Sequence, residues 1–438
     1  MLNEPIYHYM KLLTLLAFLT FSISLAQNPD VLSWINSNAI TIEDANPDTP
    51  LTAFAQNVPQ KFKDTRIFGF GEATHNTKEF FDLKAKFFKY LVKEQGVRIF
   101  IMEESYYNAY VVNEWLAGGE GDARTLAGKL GFAIWRCEEV AGLLQWMKEY
   151  NHDKPHAKQI RFYGMDDQFG YMINTQIRSF VKEANIKIDE NLLIVADSCS
   201  ASSMVPKPKK EWSADKQAKL KLLRQAIVNQ KSNVSVSARV NYEEILHAID
   251  VLQEYIIFIG NPSQIVRDND MYENVKWIMQ HEGENSKAFI WAHNAHINKQ
   301  QLDVSKEPSV GTRLKEYFGT TYYSIGFDFG KGQLYGVEKQ GKIYEEVAYK
   351  LEEPYKNTYA ALFVKADADV FFIDIQQAVA NRGMAKFLSS NKKQLSTGGG
   401  GYNPKYPYLK KYNYVECYDA VIFVRNVSIP KYITEKPL

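Results

Sequence analysis

Four apolar runs along the chain each end in carboxylate or imidazole side chains. In chain order they are TRIFGFGE to Glu72, VRIFIMEE to Glu104, IRFYGMDD to Asp167, and KAFIWAHNAH to His296. The runs are short, rich in β-branched and aromatic residues, and nearly continuous rather than alternating. That pattern is typical of strands buried on both faces in a parallel sheet. It predicts four parallel strands whose last residues carry chemistry.

Helical periodicity fills most of the chain between these runs. The segment from Phe80 to Gly96 has the spacing of a buried helix, and Gly96 is suited to a left-handed stop, so the first two runs form a strand-helix-strand unit. From 169 to 282 the pattern is helical without a convincing strand. We therefore predict an α/β fold with a largely parallel central sheet flanked by helices and an inserted all-helical subdomain at 169–282. The core then comprises 27–168 and 283–438.

The first residues predict a signal peptide. Met10-Lys11 precede an uncharged apolar run, LLTLLAFLTFSISL, and small residues at Ser24 and Ala26 suit signal peptidase. The run is too short to cross a membrane comfortably. We expect residues 1–26 to be removed on export, leaving a periplasmic or secreted protein with no stable membrane insertion. A buried N-terminal helix is the alternative.

The composition of the chain argues against some classes of binding partner but does not identify a particular one. The chain has 438 residues with 52 Lys plus Arg against 51 Asp plus Glu, so its charge gives no reason to expect nucleic acid. A hydrophobic content of 45% supports a sizeable core, and three cysteines allow at most one disulfide, so that core must hold the fold. We expect a small-molecule partner. The oligomeric state is not predicted.

The polar strand ends predict one functional site. In open α/β sheets, ligands bind beyond the carboxyl ends of the strands, where loops and helix N-termini converge. The predicted rim holds these candidates: Glu72 with His75, Glu103 or Glu104, Asp166 or Asp167, and His293 with His296.

Such a group of side chains suits hydrolysis by activated water. A histidine can take a proton from water if a carboxylate holds its ring, and Glu72 or Glu103 could serve His75 in this way. A second histidine or an arginine could then donate to the oxyanion formed at a carbonyl. The chain has no G-x-S-x-G motif, so an acyl-enzyme route lacks its usual sequence sign.

Two alternatives stay open on the residues alone. The histidines and carboxylates could bind zinc or manganese in a metal-dependent hydrolase of another ester, amide or phosphoester. The chain has no H-E-x-x-H motif, and HNAH follows a strand, so we expect no metal and no other cofactor. A small-molecule binding protein without turnover is the second alternative.

Six segments resemble, in the same order, the motifs of the erythromycin esterase family. They are GEATHNTKEFF, IFIMEES, GFAIWRCEEVAGLLQWMKEYN, FYGMDDQ, VRDNDMYENVKWIM and FIWAHNAHI. The resemblance runs from about Arg66 to Phe327. It implies hydrolysis of the lactone ester of macrolides, or of a related ester, by water activated at His75, without an obligatory metal.

The resemblance also implies roles for individual residues. Glu72 and Glu103 match the essential carboxylates of the family. The pair His293 and His296 matches the histidines that polarise the ester or assist proton transfer, and Arg267 matches an arginine that lines the cleft.

Three features bear on the substrate. Lys84 stands where some members of the family carry an arginine, and lysine loses the bidentate fork of a substrate clamp. Asn76 stands where glycine often follows the motif histidine. Carboxylates such as Asp166 are expected to attract a protonated amino sugar, unless Arg267 or a histidine pairs with them.

Overall fold

The computed structural model describes residues 30–204, 210–300, 307–340 and 343–433. The predicted signal peptide lies outside this part of the chain. The chain divides into two compact units. Unit 1 comprises the described residues up to Gln60, Glu72–Leu83 and Ile325–Ile429, and unit 2 comprises Lys61–Gly71, Lys84–Ser324 and the described residues from Pro430. Within the described ranges, no helix combines the length and apolar character that a membrane span needs.

The strands follow the apolar runs of the sequence. They are β1 Ile40–Thr41, β2 Ile67–Phe70, β3 Ile99–Ser105, β4 Arg161–Asp166, β5 Ala288–Trp291, β6 Tyr322–Gln340, β7 Ile343–Leu351, β8 Val370–Asp374, β9 Lys392–Leu395, β10 Leu409–Tyr412 and β11 Ala420–Val427.

The helices occupy most of the remaining chain. They are α1 at 30–38, α2 Thr52–Gln56, α3 Lys78–Tyr90, α4 Tyr106–Leu116, α5 Ala123–Gly128, α6 Glu138–Asn151, α7 Ile173–Glu183, α8 Glu190–Ser200, α9 Lys210–Asn229, α10 Tyr242–Gly260, α11 Gln264–His281, α12 Asn294–Ile297, α13 Val310–Phe318, α14 Ala360–Phe363, α15 Ile375–Val379, α16 Arg382–Leu388 and α17 Tyr414–Cys417.

Unit 2 is built on a parallel four-stranded arrangement in the order β2-β5-β3-β4. One phenylalanine from each strand joins an aromatic row: Phe70 lies 4.6 Å from Phe289, Phe289 lies 5.4 Å from Phe100, and Phe100 lies 5.1 Å from Phe162, between ring centroids. Burying such rings supplies most of the hydrophobic stabilisation of this layer. The four predicted strands are therefore present and parallel.

The predicted strand-helix-strand unit is present with one difference. Helix α3 connects β2 to β3 and continues through a π-helical turn, Leu91–Gln95, to the left-handed Gly96 (φ 73°). The strands it connects are parallel but are not neighbours, because β5 lies between them. No local sequence pattern specifies that a strand some two hundred residues away enters this gap.

Unit 1 contains a mixed set of strands in the order β1-β8-β11-β6. Strands β11 and β6 are parallel, whereas β1-β8, β8-β11 and the hairpin pair β6-β7 are antiparallel. The predicted fold class, α/β with a central sheet flanked by helices, is confirmed.

Within the described residues, the segment from Ile173 to His281 consists of helices α7 to α11, short 3-10 helical turns and connecting loops, and it contains no strand. Helices α7 to α10 share a core of their own, which includes Ile177, Leu223, Ile249 and Tyr255. The predicted inserted subdomain, with its boundaries at 169 and 282, stays a prediction. The three cysteines, Cys137, Cys199 and Cys417, are buried free thiols.

Substitution of Gly164 tests the close approach of β4 to β3. A Cβ atom at Gly164 would lie 2.5 Å from the carbonyl oxygens of Glu104 and Ser105, so backbone must move. We expect Gly164→Ala to lower the free energy of unfolding by about 1 to 3 kcal/mol. The exposed helical Gly142, whose Cβ would meet nothing within 4 Å, gives the matched control, since Gly142→Ala should stabilise by up to about 1 kcal/mol. Equal urea-denaturation midpoints for the two variants would contradict this packing.

Candidate active site

The end of β3 carries two adjacent glutamates with separate functions. Neighbouring strand residues point to opposite faces, so Glu103 and Glu104 cannot share a partner set. Glu104 is buried and accepts hydrogen bonds from the backbone N–H groups of Ser105 (2.7 Å) and Gly131 (2.9 Å). Burial raises its pKa. Glu104 therefore anchors the loop at Gly131, and Glu103 is the member of the pair that faces the charged cluster.

Arg267 is the centre of that cluster. It projects from the first turns of α11 and is buried. Its Nη2 donates to Oε1 of Glu103 (2.8 Å) and to Asp166, and its Nε donates to Oδ2 of Asp166 (3.1 Å). Its Nη1 lies 3.1 Å from Nε2 of His296. The planar fork thus joins β3 and β4 through one side chain, a bidentate geometry that lysine lacks.

His296 is held as a cation between two carboxylates. Its Nδ1 lies 3.0 Å from Oδ1 of Asp268, an ion pair without an aligned hydrogen bond, and its Nε2 lies 3.3 Å from Oε1 of Glu103. Burial opposes protonation of the ring, and Arg267 does so too. Asp268 and Glu103 outweigh both and raise the pKa of His296 to about 10. A ring that keeps its proton at neutral pH can donate to a developing oxyanion but does not serve as a base.

Asp268 was not singled out from the sequence. It is buried and accepts hydrogen bonds from Nε2 of Gln264 (2.6 Å) and from the backbone N–H of Val310 (3.2 Å). The sequence shows that Asp268 directly follows Arg267, but consecutive side chains on a helix point in directions about 100° apart, so a shared partner is not expected. Only the packing shows that both side chains reach His296.

His293 differs from its partner in charge and contacts. Its backbone N–H donates to Oε2 of Glu103 (2.8 Å), and its Nδ1 accepts from the backbone N–H of Ala295 (3.1 Å). The second bond requires the tautomer with the proton on Nε2. The predicted histidine pair is therefore one neutral ring that caps α12 and one ring that carries charge.

The loop after β5 is packed tightly against the end of β2. A Cβ atom at Gly71 would lie 2.0 Å from Oδ1 of Asn294, one of the two residues between His293 and His296. The backbone N–H of Ala292 donates to the carbonyl of Phe70 (3.2 Å). Glycine at 71 is thus a steric requirement of the histidine loop, and Glu72 follows it directly in the sequence.

The cluster is nearly balanced in charge. Three carboxylates, those of Glu103, Asp166 and Asp268, face the guanidinium of Arg267 and the imidazolium of His296. Formal counting leaves one negative charge. Asp166 is fully buried and bonded to Arg267, which neutralises its charge. The carboxylates therefore attract a cationic amino sugar much less than the sequence predicted.

Asp167 belongs to a second, acidic group. Burial and then the neighbouring Asp166 and Asp270 raise its pKa to about 8. Burial raises the pKa of Glu254 and of Asp270 as well. At neutral pH Asp167 therefore holds its proton most of the time and adds little negative charge to the site.

Lys84 is fully buried. Its Nζ lies 4.6 Å from the ring centroid of Trp291 and 3.3 Å from the carbonyl oxygen of Ala292. These contacts place the ammonium beneath the end of β5. Its predicted contact with substrate stays a prediction.

Unit 1 contains the predicted base and its carboxylate. Nδ1 of His75 contacts Oε1 of Glu72, and both side chains are buried, with 7% and 0% of their surface exposed. The turn that carries them is fixed by Thr397: its N–H donates to the carbonyl of Ala73 (3.0 Å), and its carbonyl accepts from the N–H of His75 (3.2 Å). Thr397 was not predicted from the sequence, because it lies more than three hundred residues from His75.

The structure thus brings together two groups of predicted residues. Glu103, Asp166, Arg267, His293 and His296 meet within unit 2, and Glu72 meets His75 within unit 1. The sequence-based prediction that both groups act on one substrate stays a prediction, as does every catalytic role assigned above. In the described ranges, no set of three or more His, Cys, Asp or Glu side chains is arranged to hold a metal ion.

Comparison with known sequences defines the family. The model of the erythromycin esterase family matches residues 92–427, and the chain belongs to this family of hydrolases. An Escherichia coli protein named erythromycin esterase type II is 24% identical over 329 residues, which is 67% of this chain and 75% of the relative. YbfO, a Bacillus subtilis (strain 168) protein named as a hydrolase, is 23% identical and covers 95% of this chain and 96% of its own length.

Solved structures share the fold. A crystal structure of a Bacillus cereus protein superposes with a TM-score of 0.81 at 23% identity, covering 93% of this chain and 99% of that one. A mutant of the erythromycin esterase EreC in its open conformation superposes with a TM-score of 0.63 at 15% identity, covering 91% and 99%. At this identity the likeness extends to the fold alone.

The charge state of His296 can be measured directly. Its raised pKa predicts an imidazolium at pH 8, where an ordinary histidine, with a pKa near 6.5, is neutral. Its ion pairs therefore add stability that is complete below about pH 6.5 and is lost as the pH rises through about 10.

NMR titration of the histidine rings, with His296→Asn for assignment, should show no midpoint for His296 below pH 8. Asp268→Asn should move that midpoint down. A wild-type midpoint near 6.5 would contradict the charged state.

Proposed function

We propose that the protein hydrolyses a carboxylic ester or lactone by attack of a water molecule activated at His75. The contact between Nδ1 of His75 and the buried carboxylate of Glu72 carries this proposal. It suits a neutral ring with its proton on Nδ1, so that Nε2 is the atom that accepts a proton from water. The carboxylate then stabilises the imidazolium that forms.

The reaction needs no covalent intermediate with the enzyme. Water loses a proton to Nε2 of His75 as its oxygen bonds to the carbonyl carbon. The resulting oxyanion collapses, the bond from carbon to the alkoxy oxygen breaks, and the proton on His75 passes to the departing oxygen. The products are a carboxylic acid and an alcohol, or one hydroxy acid when the substrate is a lactone.

The charged cluster of unit 2 is assigned to the carbonyl side of this reaction. The guanidinium of Arg267 and the imidazolium of His296 supply fixed positive charge, which lowers the energy of an oxyanion without reorganisation at the moment of reaction. Glu103 holds both cations, with Asp166 and Asp268 as further partners. We propose that this cluster and His75 act on the same bond. The basis is the sequence, in which these residues follow predicted strands whose carboxyl ends are expected to meet at one rim.

A macrolide lactone is the proposed substrate class, with related esters included. Membership of the erythromycin esterase family supports it, as does the name of the Escherichia coli relative. Identities of 23–24% leave room for another ester, and Lys84 in place of an arginine changes a position tied to substrate binding in the resemblance. We also propose a metal-independent reaction, so turnover should survive exhaustive chelation.

We propose export for the protein, on the evidence of the predicted signal peptide at 1–26. Cell fractionation with N-terminal sequencing of the mature chain tests this. A mature protein that begins at Gln27 supports export, and a full-length cytosolic protein contradicts it.

Removal of the His75 ring tests the base. We expect His75→Ala to lower turnover at least about 100-fold, since general base catalysis contributes that much, while the protein still melts cooperatively. The assay is mass detection of one added water on a panel of macrolides, simple lactones and p-nitrophenyl esters. His152→Ala is the matched control, because that ring is 80% exposed on the surface.

Two outcomes would overturn the proposal. Near-wild-type turnover by His75→Ala shows that another group is the base. A wild-type protein that adds water to no ester on the panel, while still binding one, is a binding protein rather than a hydrolase.

A further inference from the structure

The segment after β9 is attached to the turn of the proposed base. Thr397 lies alongside Thr74 in a parallel bridge, their hydroxyl groups are in contact, and the backbone of Thr397 bonds to both neighbours of Thr74. Gly398 follows at once, with its Cα about 3.8 Å from that of Thr397. The run Gly398–Gly401 therefore begins beside the backbone of His75.

The far end of this glycine run is fixed as well. Tyr402 is buried, its N–H donates to the carbonyl of Tyr335 (2.7 Å), and its hydroxyl lies 2.6 Å from that of Tyr355. Gly401 has φ 75°, and a Cβ there would lie 2.7 Å from the carbonyl oxygen of Tyr335. Glycine at 401 is a requirement of the fold.

The three glycines between these anchors meet no such requirement. Gly398, Gly399 and Gly400 are exposed, none has a positive φ in the left-handed range, and a Cβ at any of them would meet nothing within 4 Å. In such positions alanine lowers the conformational entropy of the unfolded chain and so stabilises the protein. Neither the backbone conformation nor the packing of the free protein therefore requires glycine at these three positions.

The backbone of the same residues offers unused donors. Within the described residues, no group accepts a hydrogen bond from the N–H groups of Gly398, Gly399 or Gly400. Consecutive exposed N–H groups on glycine can approach an oxygen atom of a ligand without interference from side chains. Open space and free donors coincide in the residues next to the anchor of the base.

We propose that Gly398–Gly400 is a substrate-contacting segment, in which backbone N–H groups donate to oxygen atoms of the bound ester and the absent side chains leave room for it. This rests on the proposed hydrolysis. It assigns substrate binding to a segment that lies far along the chain from the six motifs that resemble the family. It also favours substrates rich in acceptor oxygens, such as lactones that carry hydroxyl, ester or glycosidic groups.

Alanine substitutions at these glycines test the proposal. Gly398→Ala, Gly399→Ala and Gly400→Ala should fold with an unchanged or higher Tm, because the free protein has room for each methyl group. On the panel ester that the wild type hydrolyses fastest, each should raise KM about tenfold, the effect of one misplaced methyl group, with kcat changed by less than about threefold. Gly142→Ala, an exposed glycine with the same open surroundings, is the matched control and should leave KM unchanged.

The outcomes separate this inference from the proposed function. Wild-type hydrolysis of a panel ester, combined with unchanged KM in all three loop variants, overturns the assignment of the segment and leaves the hydrolase intact. A wild type that hydrolyses no panel ester overturns the hydrolase and this inference together. A loss of activity accompanied by a lowered Tm would show that the glycines are structural, which also contradicts the inference.

Discussion

A buried guanidinium must find partners for its donors, and the way Arg267 meets that requirement organises the candidate site. Its fork donates to carboxylates on two strands, and one of these carboxylates, that of Glu103, also pairs with the ring of His296. Removing one partner from such a group typically costs about 3 to 5 kcal/mol, because a charge is left buried and unpaired. The positions of Glu103, Asp166 and His296 are therefore interdependent, and the positive charge at this site is fixed before any substrate arrives.

The carboxylates of the cluster account for the different states of the two histidines. His296 lies between Asp268 and Glu103 and keeps its proton, whereas His293 caps a short helix with an unprotonated Nδ1. Protonated and neutral rings have separate uses in ester hydrolysis, the first toward an oxyanion and the second in proton transfer. The proposed base, His75, contacts the carboxylate of Glu72.

Much of this could be predicted from the sequence, because strand ends and helix periodicity are local signals. The four parallel strands and the cluster residues at their ends followed from apolar runs that end in Glu, Asp or His, the helical segment followed from helix periodicity, and Arg267 followed from the family resemblance. Three features could not be predicted. The insertion of β5 between β2 and β3 is determined by tertiary packing. The different partners of Glu103 and Glu104 depend on which face of β3 each side chain occupies. Asp268 and Thr397 act through partners that packing alone brings near.

The central claim is that the fork of Arg267, and not merely its charge, sets up the site for hydrolysis. The most direct test is kcat/KM for Arg267→Lys, measured beside its urea-denaturation curve. Lysine keeps one positive charge but lacks the planar fork that donates to Glu103 and Asp166 together, so kcat/KM should fall about 100-fold or more while unfolding remains cooperative. A variant that retains wild-type kcat/KM would contradict the account.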